Sequence, residues 1–172
     1  MELQILHMIQ GWHRDSLSQL MILLTTLGED GICWIVLSIV LALIPRTRKC
    51  GLNMMAAMAV TYLLGNLILK NVIARPRPCT VDTSVSLLIP FPDEYSFPSG
   101  HTSNGFSAAV TIFLYFKKAG ILALVLAALI AFSRLYLFVH YPTDILGGLL
   151  LGTMDAYVIW KLYNKHGIQQ SK

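Results

Sequence analysis

Eight residues between positions 70 and 144 have the types and spacing to do chemistry: Lys70, Arg77, Ser99, Gly100, His101, Arg134, His140 and Asp144. The three cations can offset the charge of a phosphate, and backbone N–H groups around Gly100 can hold its equatorial oxygens. One imidazole can attack phosphorus. A second can protonate the leaving oxygen, because its unperturbed pKa lies near neutrality. Asp144 follows His140 by four residues and can hold one ring N–H, presenting the other nitrogen as nucleophile. The chemistry this set suits is phosphoryl transfer from an anionic ester. No Asp or Glu cluster offers a magnesium site, so catalysis is expected to need neither metal nor cofactor.

Position must bring these residues together, and the stretch Phe97-Pro98-Ser99-Gly100-His101 is the natural centre. Pro98 stops what precedes it, Ser99 is a good N-cap, and Gly100 allows close backbone approach. His101 then opens an apolar segment near a helix N-terminus, where free N–H groups attract anions.

The 172 residues suffice for one domain (1–172). Hydrophobic residues make up 55% and charged residues only 13%, and mean hydropathy is +0.63. A soluble domain carries about 25% charged residues, so most of this surface is expected to face lipid. The net charge of +4 is gathered in short connections between apolar runs. That suits anionic headgroups and topology control, not nucleic acid. Cys33, Cys50 and Cys79 are far apart, without a CxxC, which argues against a disulfide framework or a zinc site. Met1–Gln10 lacks a basic n-region, so no cleavable signal peptide is expected.

The predicted fold is all-α, a polytopic membrane helix bundle. Residues 1–14 place Leu3, Leu6 and Ile9 at helical spacing and read as an interfacial amphipathic helix. Six spans are expected: Leu17–Leu27, Ile32–Ile44, Leu52–Ala74, Ser99–Phe116, Gly120–Phe138 and Asp144–Tyr163. The first is short for a bilayer, and the alternative is five spans with that segment in the interface. Residues 79–97 form a long external loop, and 164–172 a basic cytoplasmic tail. Arg46, Arg48, Lys49, Lys117, Lys118 and the C-terminal lysines then share one side, which the positive-inside rule makes cytoplasmic. In the six-span arrangement both termini are cytoplasmic and the chemical residues lie at the outer face. Each has an ordinary explanation alone: snorkelling for Lys70 and Arg134, a loop charge for Arg77, a surface histidine at a capped helix start for His101, an interfacial polar residue for His140, a first-turn acid for Asp144. Six such coincidences on one face are harder to sustain, because charges within the membrane are costly.

The spacing also resembles that of the type 2 phosphatidic acid phosphatase family of integral-membrane lipid phosphatases. Three blocks carry the resemblance: Lys70, six residues, Arg77-Pro78; then Pro98-Ser99-Gly100-His101; then Ser133-Arg134, five residues, His140, three residues, Asp144. The resemblance implies that His140 forms a phosphohistidine, that Asp144 orients it, and that His101 protonates the leaving lipid alcohol and then helps activate water. It implies phosphate binding by Lys70, Arg77, Ser99, Gly100 and Arg134. Vanadium-dependent haloperoxidases share the blocks but are soluble, which the hydropathy disfavours. The short chain is similar to small bacterial members acting on undecaprenyl pyrophosphate, phosphatidylglycerophosphate or phosphatidic acid. An outward site in the bacterial plasma membrane suits undecaprenyl pyrophosphate. A phosphotransferase with another acceptor and a non-hydrolytic lipid carrier are the competing functions. The oligomeric state stays open.

Four features lie outside the blocks. Arg75-Pro76 is a second Arg-Pro pair, which either shares phosphate binding or marks the interface. Asp155, in mid-span, is expected to be a protonated acid bonded to a neighbouring helix, with Asn66, Ser103 and Asn104 as candidate partners. Gly148 and Gly152 mark a close-packing face. Phe91, Tyr95, Phe97, Tyr136, Phe138 and Tyr141 are expected to ring the outer interface as an aromatic belt.

Overall fold

The computed structural model describes residues 1–169, and among these there is no strand. In chain order the helices are α1 (Glu2–Gln10), α2 (Asp15–Leu27), α3 (Ile32–Leu43), α4 (Arg48–Tyr62), α5 (Lys70–Ile73), α6 (Pro78–Val81), α7 (Gly100–Tyr115), α8 (Lys117–Tyr136) and α9 (Pro142–Gln169). Three stretches are long and apolar enough to cross a membrane: residues 48–81, 117–136 and 142–165. The pair α2–α3, bent by 43° at its break, is a fourth candidate. Large apolar side chains such as Leu43, Leu67, Leu122, Leu150 and Leu162 stand exposed around the bundle. In water so large an apolar surface would be a liability; in lipid it is the required exterior. The protein is an integral membrane protein.

The breaks in the helices position the site. The α2–α3 break is a 3-10 turn in which Asp30 (φ 51°) and Gly31 (φ 68°) are left-handed, the conformation that removes the Cβ penalty at glycine. Between α4 and α5 the chain forms a π-helical stretch, Leu63–Leu69, immediately before Lys70. Such wide turns shift helical register and recur at functional sites. Ala74 then turns left-handed, and Pro76 and Pro78 keep Arg75 and Arg77 out of helix. A single residue, Phe116, separates α7 from α8, so Lys117 and Lys118 lie in the first turn of α8.

Helix α7 is the centre of the bundle, packed against α8, α9 and α4. Its buried residues are small or polar, among them Ser103, Gly105, Ser107, Ala108 and Thr111. That composition lets neighbouring backbones approach closely, as membrane helices do. Gly148 and Gly152 of α9 supply the matching surface: a Cβ on Gly152 would lie 2.2 Å from the Ser103 carbonyl oxygen, and one on Gly148 2.7 Å from that of Ser99. Both obstacles are backbone and cannot rotate away. Gly152→Ala is therefore expected to cost about 1–3 kcal/mol by overpacking. Thermal unfolding in detergent measures it, and an unchanged midpoint would show that the α7–α9 contact is not required.

Asp155 does bond to a neighbouring helix, but its partner is Thr61 of α4, whose hydroxyl donates at 2.9 Å. The aromatic belt is only partly realised. Phe91 and Tyr95 are exposed, whereas Tyr136, Phe138 and Tyr141 are buried. They form a core with Leu6 and Ile9 of α1 and Met21 and Leu24 of α2. The apolar stripe of α1 thus faces protein, and it clamps the loop that carries His140. Gln10 and His13 add hydrogen bonds to the Tyr136 carbonyl at 2.9 and 3.0 Å. The α9 helix runs on to Gln169, past the expected start of the tail, of which residues 170–172 lie outside those described.

Candidate active site

Every residue singled out for chemistry lies where a helix begins or ends. Lys70 opens α5, Arg77 precedes α6, Ser99 precedes α7, and Gly100 and His101 begin it. Arg134 is in the last turn of α8, His140 is in the loop that follows, and Asp144 is in the first turn of α9. Six of them, Lys70, Arg77, Gly100, His101, Arg134 and His140, line one cavity of about 570 Å³. The loop residues Leu88–Glu94 also line it, as do Thr25, Thr26 and Gly28–Gly31. Ser99 and Asp144 are fully buried and stand behind this lining.

The His140–Asp144 pair has a defined tautomer. Arg77 Nη1 lies 3.2 Å from His140 Nε2. A guanidinium can only donate, so Nε2 carries the lone pair and the ring proton is on Nδ1. Nδ1 faces Asp144 Oδ2 at 3.5 Å, close enough for charge attraction but not a formed hydrogen bond. Burial above all, with the Arg77 and Arg134 charges, holds the imidazole well below its ordinary pKa range, against the pull of Asp144. His140 is therefore neutral at pH 7, the form a nucleophile needs.

Asp144 is held by three shorter contacts. Ser96 Oγ donates to Oδ2 at 2.5 Å and the Tyr141 N–H donates to the same oxygen at 2.8 Å. Arg75 Nη1 donates to Oδ1 at 2.6 Å. Arg75 also donates to Glu2 Oε2 at 2.6 Å and lies 3.9 Å over the Tyr141 ring. It sits behind the carboxylate and is not part of the cavity lining. Of the two roles open to it in the sequence, phosphate contact is thus not the one its geometry offers. Ser99 likewise differs from a simple cap: it occupies the N-cap position without a side-chain cap bond, and its Oγ accepts from Thr102 Oγ1 at 3.0 Å. Gly100, the first residue of α7, lines the cavity.

The cations are partly engaged. Lys70, buried, donates to the exposed carboxylate of Glu94. Arg77 Nε donates to the Glu94 carbonyl at 2.6 Å and Nη1 to that of Val139 at 3.0 Å. Arg134 Nη1 donates to Thr25 Oγ1, while its Nε has no partner among the described residues. His101 Nε2 donates to the Thr25 carbonyl at 3.2 Å. Among the described residues no group of three or more His, Cys, Asp or Glu could hold a metal ion.

Thr25, Ser96, Glu94 and Glu2 escaped the reading of the sequence. Ser96 had one available signal, its adjacency to Phe97–His101. Thr25 had none, since it lies in an apolar run with nothing local to mark it.

The chain as a whole is similar to known proteins. Residues 51–168 match the PAP2 superfamily. The undecaprenyl-diphosphatase of Sulfolobus acidocaldarius is 35% identical over 144 residues, covering 83% of this chain and 69% of that protein. The crystal structure of Aquifex aeolicus LpxE superposes with a TM-score of 0.83 at 26% identity, covering 93% of this chain and 94% of the other. That of a PAP2-type phosphatidylglycerolphosphate phosphatase from Bacillus subtilis gives 0.77 at 27% identity, covering 94% and 84%. With the family matched across most of its length and its helices superposing on those structures, this chain belongs to the PAP2 superfamily.

Proposed function

We propose that the protein is a membrane lipid phosphatase whose preferred substrate is a polyprenyl pyrophosphate such as undecaprenyl pyrophosphate. The similarity to the Sulfolobus undecaprenyl-diphosphatase supports the substrate class. The observation that carries the mechanism is the orientation of His140, with its Nε2 lone pair beside Arg77 and its Nδ1 proton toward Asp144.

In the first step Nε2 attacks the terminal phosphorus. The N–P bond forms, the bond to the bridging oxygen breaks, and His101 gives that oxygen a proton. Lipid monophosphate leaves. Asp144 stabilises the positive imidazole ring that bears the phosphoryl group. In the second step His101 takes a proton from water, whose oxygen attacks phosphorus. The N–P bond breaks and inorganic phosphate leaves. Lys70, Arg77, Arg134 and the Gly100 N–H hold the equatorial oxygens throughout. Ser99 supports this cradle from behind through Thr102.

The contacts of α2 favour five crossings over six. Ser18 near its start bonds to the Tyr136 hydroxyl at 2.9 Å, and Thr25 near its end meets Arg134 and His101. The end of α2 and its break with α3 therefore lie at the site, so α2 and α3 read as one bent span and only α1 rests on that face. Arg46, Arg48, Lys49, Lys117 and Lys118 lie at the opposite helix ends, which the positive-inside rule makes cytoplasmic. The site and N-terminus then face outward and the C-terminus inward.

The test is release of inorganic phosphate by purified protein, with EDTA present, from a panel of lipid pyrophosphates and monophosphates. Transfer of lipid between vesicles without phosphate release would replace this reading with that of a carrier. A preference for phosphatidylglycerophosphate would move the substrate assignment, and a phosphorylated acceptor other than water would make it a phosphotransferase. A smaller effect concerns Glu94, whose carboxylate must leave Lys70 when a phosphate arrives. Because that carboxylate is largely exposed, Glu94→Gln is expected to strengthen competitive inhibition by inorganic phosphate by no more than about fivefold. Weaker inhibition in this variant would mean that Glu94 assists binding.

A further inference from the structure

Helix α2 lies outside the segment that matches the PAP2 superfamily, yet one of its residues touches two of the site residues. Thr25 is 5% exposed. Its hydroxyl accepts from Arg134 Nη1 and its carbonyl accepts from His101 Nε2 at 3.2 Å. The neighbouring Thr26 shows the alternative: its hydroxyl turns back to the Ile22 carbonyl of its own helix at 2.9 Å, and the residue is exposed. We propose that Thr25 is a positioning residue, fixing the Arg134 fork for phosphate and the His101 tautomer for proton transfer.

Each contact has a chemical consequence. A buried guanidinium on a long stem has several rotamers, and a hydrogen bond to one Nη restricts the fork. With Nη1 fixed on Thr25, the Nε, which has no partner among the described residues, remains for an anion. For His101, a carbonyl can only accept, so Nε2 must carry a proton. The Nε2–Cδ2 edge of the ring lies against the end of α2, where a Cβ on Gly28 would stand 2.9 Å from His101 Cδ2. Nδ1 is then the nitrogen that exchanges a proton with the leaving oxygen and with water. When His101 is doubly protonated, the Thr25 carbonyl stabilises its charge; when it is neutral, the same bond keeps Nδ1 unprotonated and able to accept. Helices α1 and α2 therefore complete the machinery that the matched segment begins.

This inference rests on the phosphatase reading for His101 but not for Arg134, where any phosphate anion reports. The experiment uses the full chain in detergent micelles, with wild type, Thr25→Val and Thr25→Ser. Inorganic phosphate binding is measured by thermal shift, and phosphate release from lipid pyrophosphate by steady-state kinetics. Thr25→Val keeps the shape and removes the hydroxyl; it is expected to weaken inorganic phosphate binding about tenfold, the scale of one charge-assisted hydrogen bond. Its kcat/KM should fall at least as far. Thr25→Ser should restore both to within about threefold, a rescue that loss of packing alone would not give. Should the valine variant not fold, Thr25→Ala replaces it with the same expectation. Wild-type phosphate affinity in a folded Thr25→Val or Thr25→Ala protein overturns the proposal, as does a serine variant as impaired as the valine one. If wild type binds inorganic phosphate but releases none from any lipid, the phosphatase reading fails, while the binding comparison still decides the role of Thr25.

Discussion

His140→Ala is expected to lower phosphate release by about four to six orders of magnitude, the scale on which removing a nucleophile acts in hydrolases with covalent intermediates. The expectation follows from the position of Nε2. It is the unprotonated nitrogen of a residue that lines the cavity, and Arg77 Nη1, a donor suited to an anionic oxygen, lies 3.2 Å from it. The loss should fall on kcat, because Lys70, Arg77 and Arg134 still bind the anion. Inorganic phosphate should therefore continue to stabilise the variant in a thermal-shift measurement. Rapid acid-free quenching of wild type during turnover should trap a phosphorylated imidazole, and the variant should trap none. Turnover within tenfold of wild type would exclude His140 as the attacking group.

Asp144→Asn should be the second most damaging change, with kcat reduced by about three to four orders of magnitude, as when the carboxylate of a catalytic triad is made an amide. Two causes act together. The amide lacks the charge that stabilises the phosphorylated ring. It also places an NH₂ group where the present oxygens accept from Arg75, Ser96 and the Tyr141 N–H. An amide can satisfy donors only with its oxygen, so at least one buried donor is left facing another. That conflict costs about 1–3 kcal/mol and should lower the unfolding midpoint as well. The two effects separate experimentally: a second-site change that restores stability should leave kcat low. Wild-type kcat in a folded Asp144→Asn protein would remove the orienting role.

The helix ends were readable because they obey local rules. Pro76, Pro78 and Pro98 interrupt helix wherever they fall, and long uncharged runs such as Gly120 to Phe132 have no other stable form than helix. The chemical residues sit at those ends, so their spacing already implied that they could meet. Local rules were less informative about α1. Its Leu3, Leu6 and Ile9 stripe has the same period whether it lies on lipid or on protein, and the choice of the Tyr136–Tyr141 loop as its partner is a tertiary event. The π-helical stretch before Lys70 is likewise invisible, since Leu63–Leu69 has an ordinary helical composition.

By itself, then, the amino-acid order determined an all-helical membrane protein and the family to which it belongs, and it put forward the side chains proposed to handle phosphate. Those properties depend on composition, on period and on spacings within a few turns. The tertiary structure alone decided who supports those side chains. Arg75 reaches Asp144 from 69 residues away, and Thr25 reaches Arg134 from 109 away. It also decided that the end of α2, at Thr25, lies at the site. Such contacts are set by how packed helices cross and by which polar groups remain to be satisfied after burial, and neither leaves a mark in the neighbouring sequence.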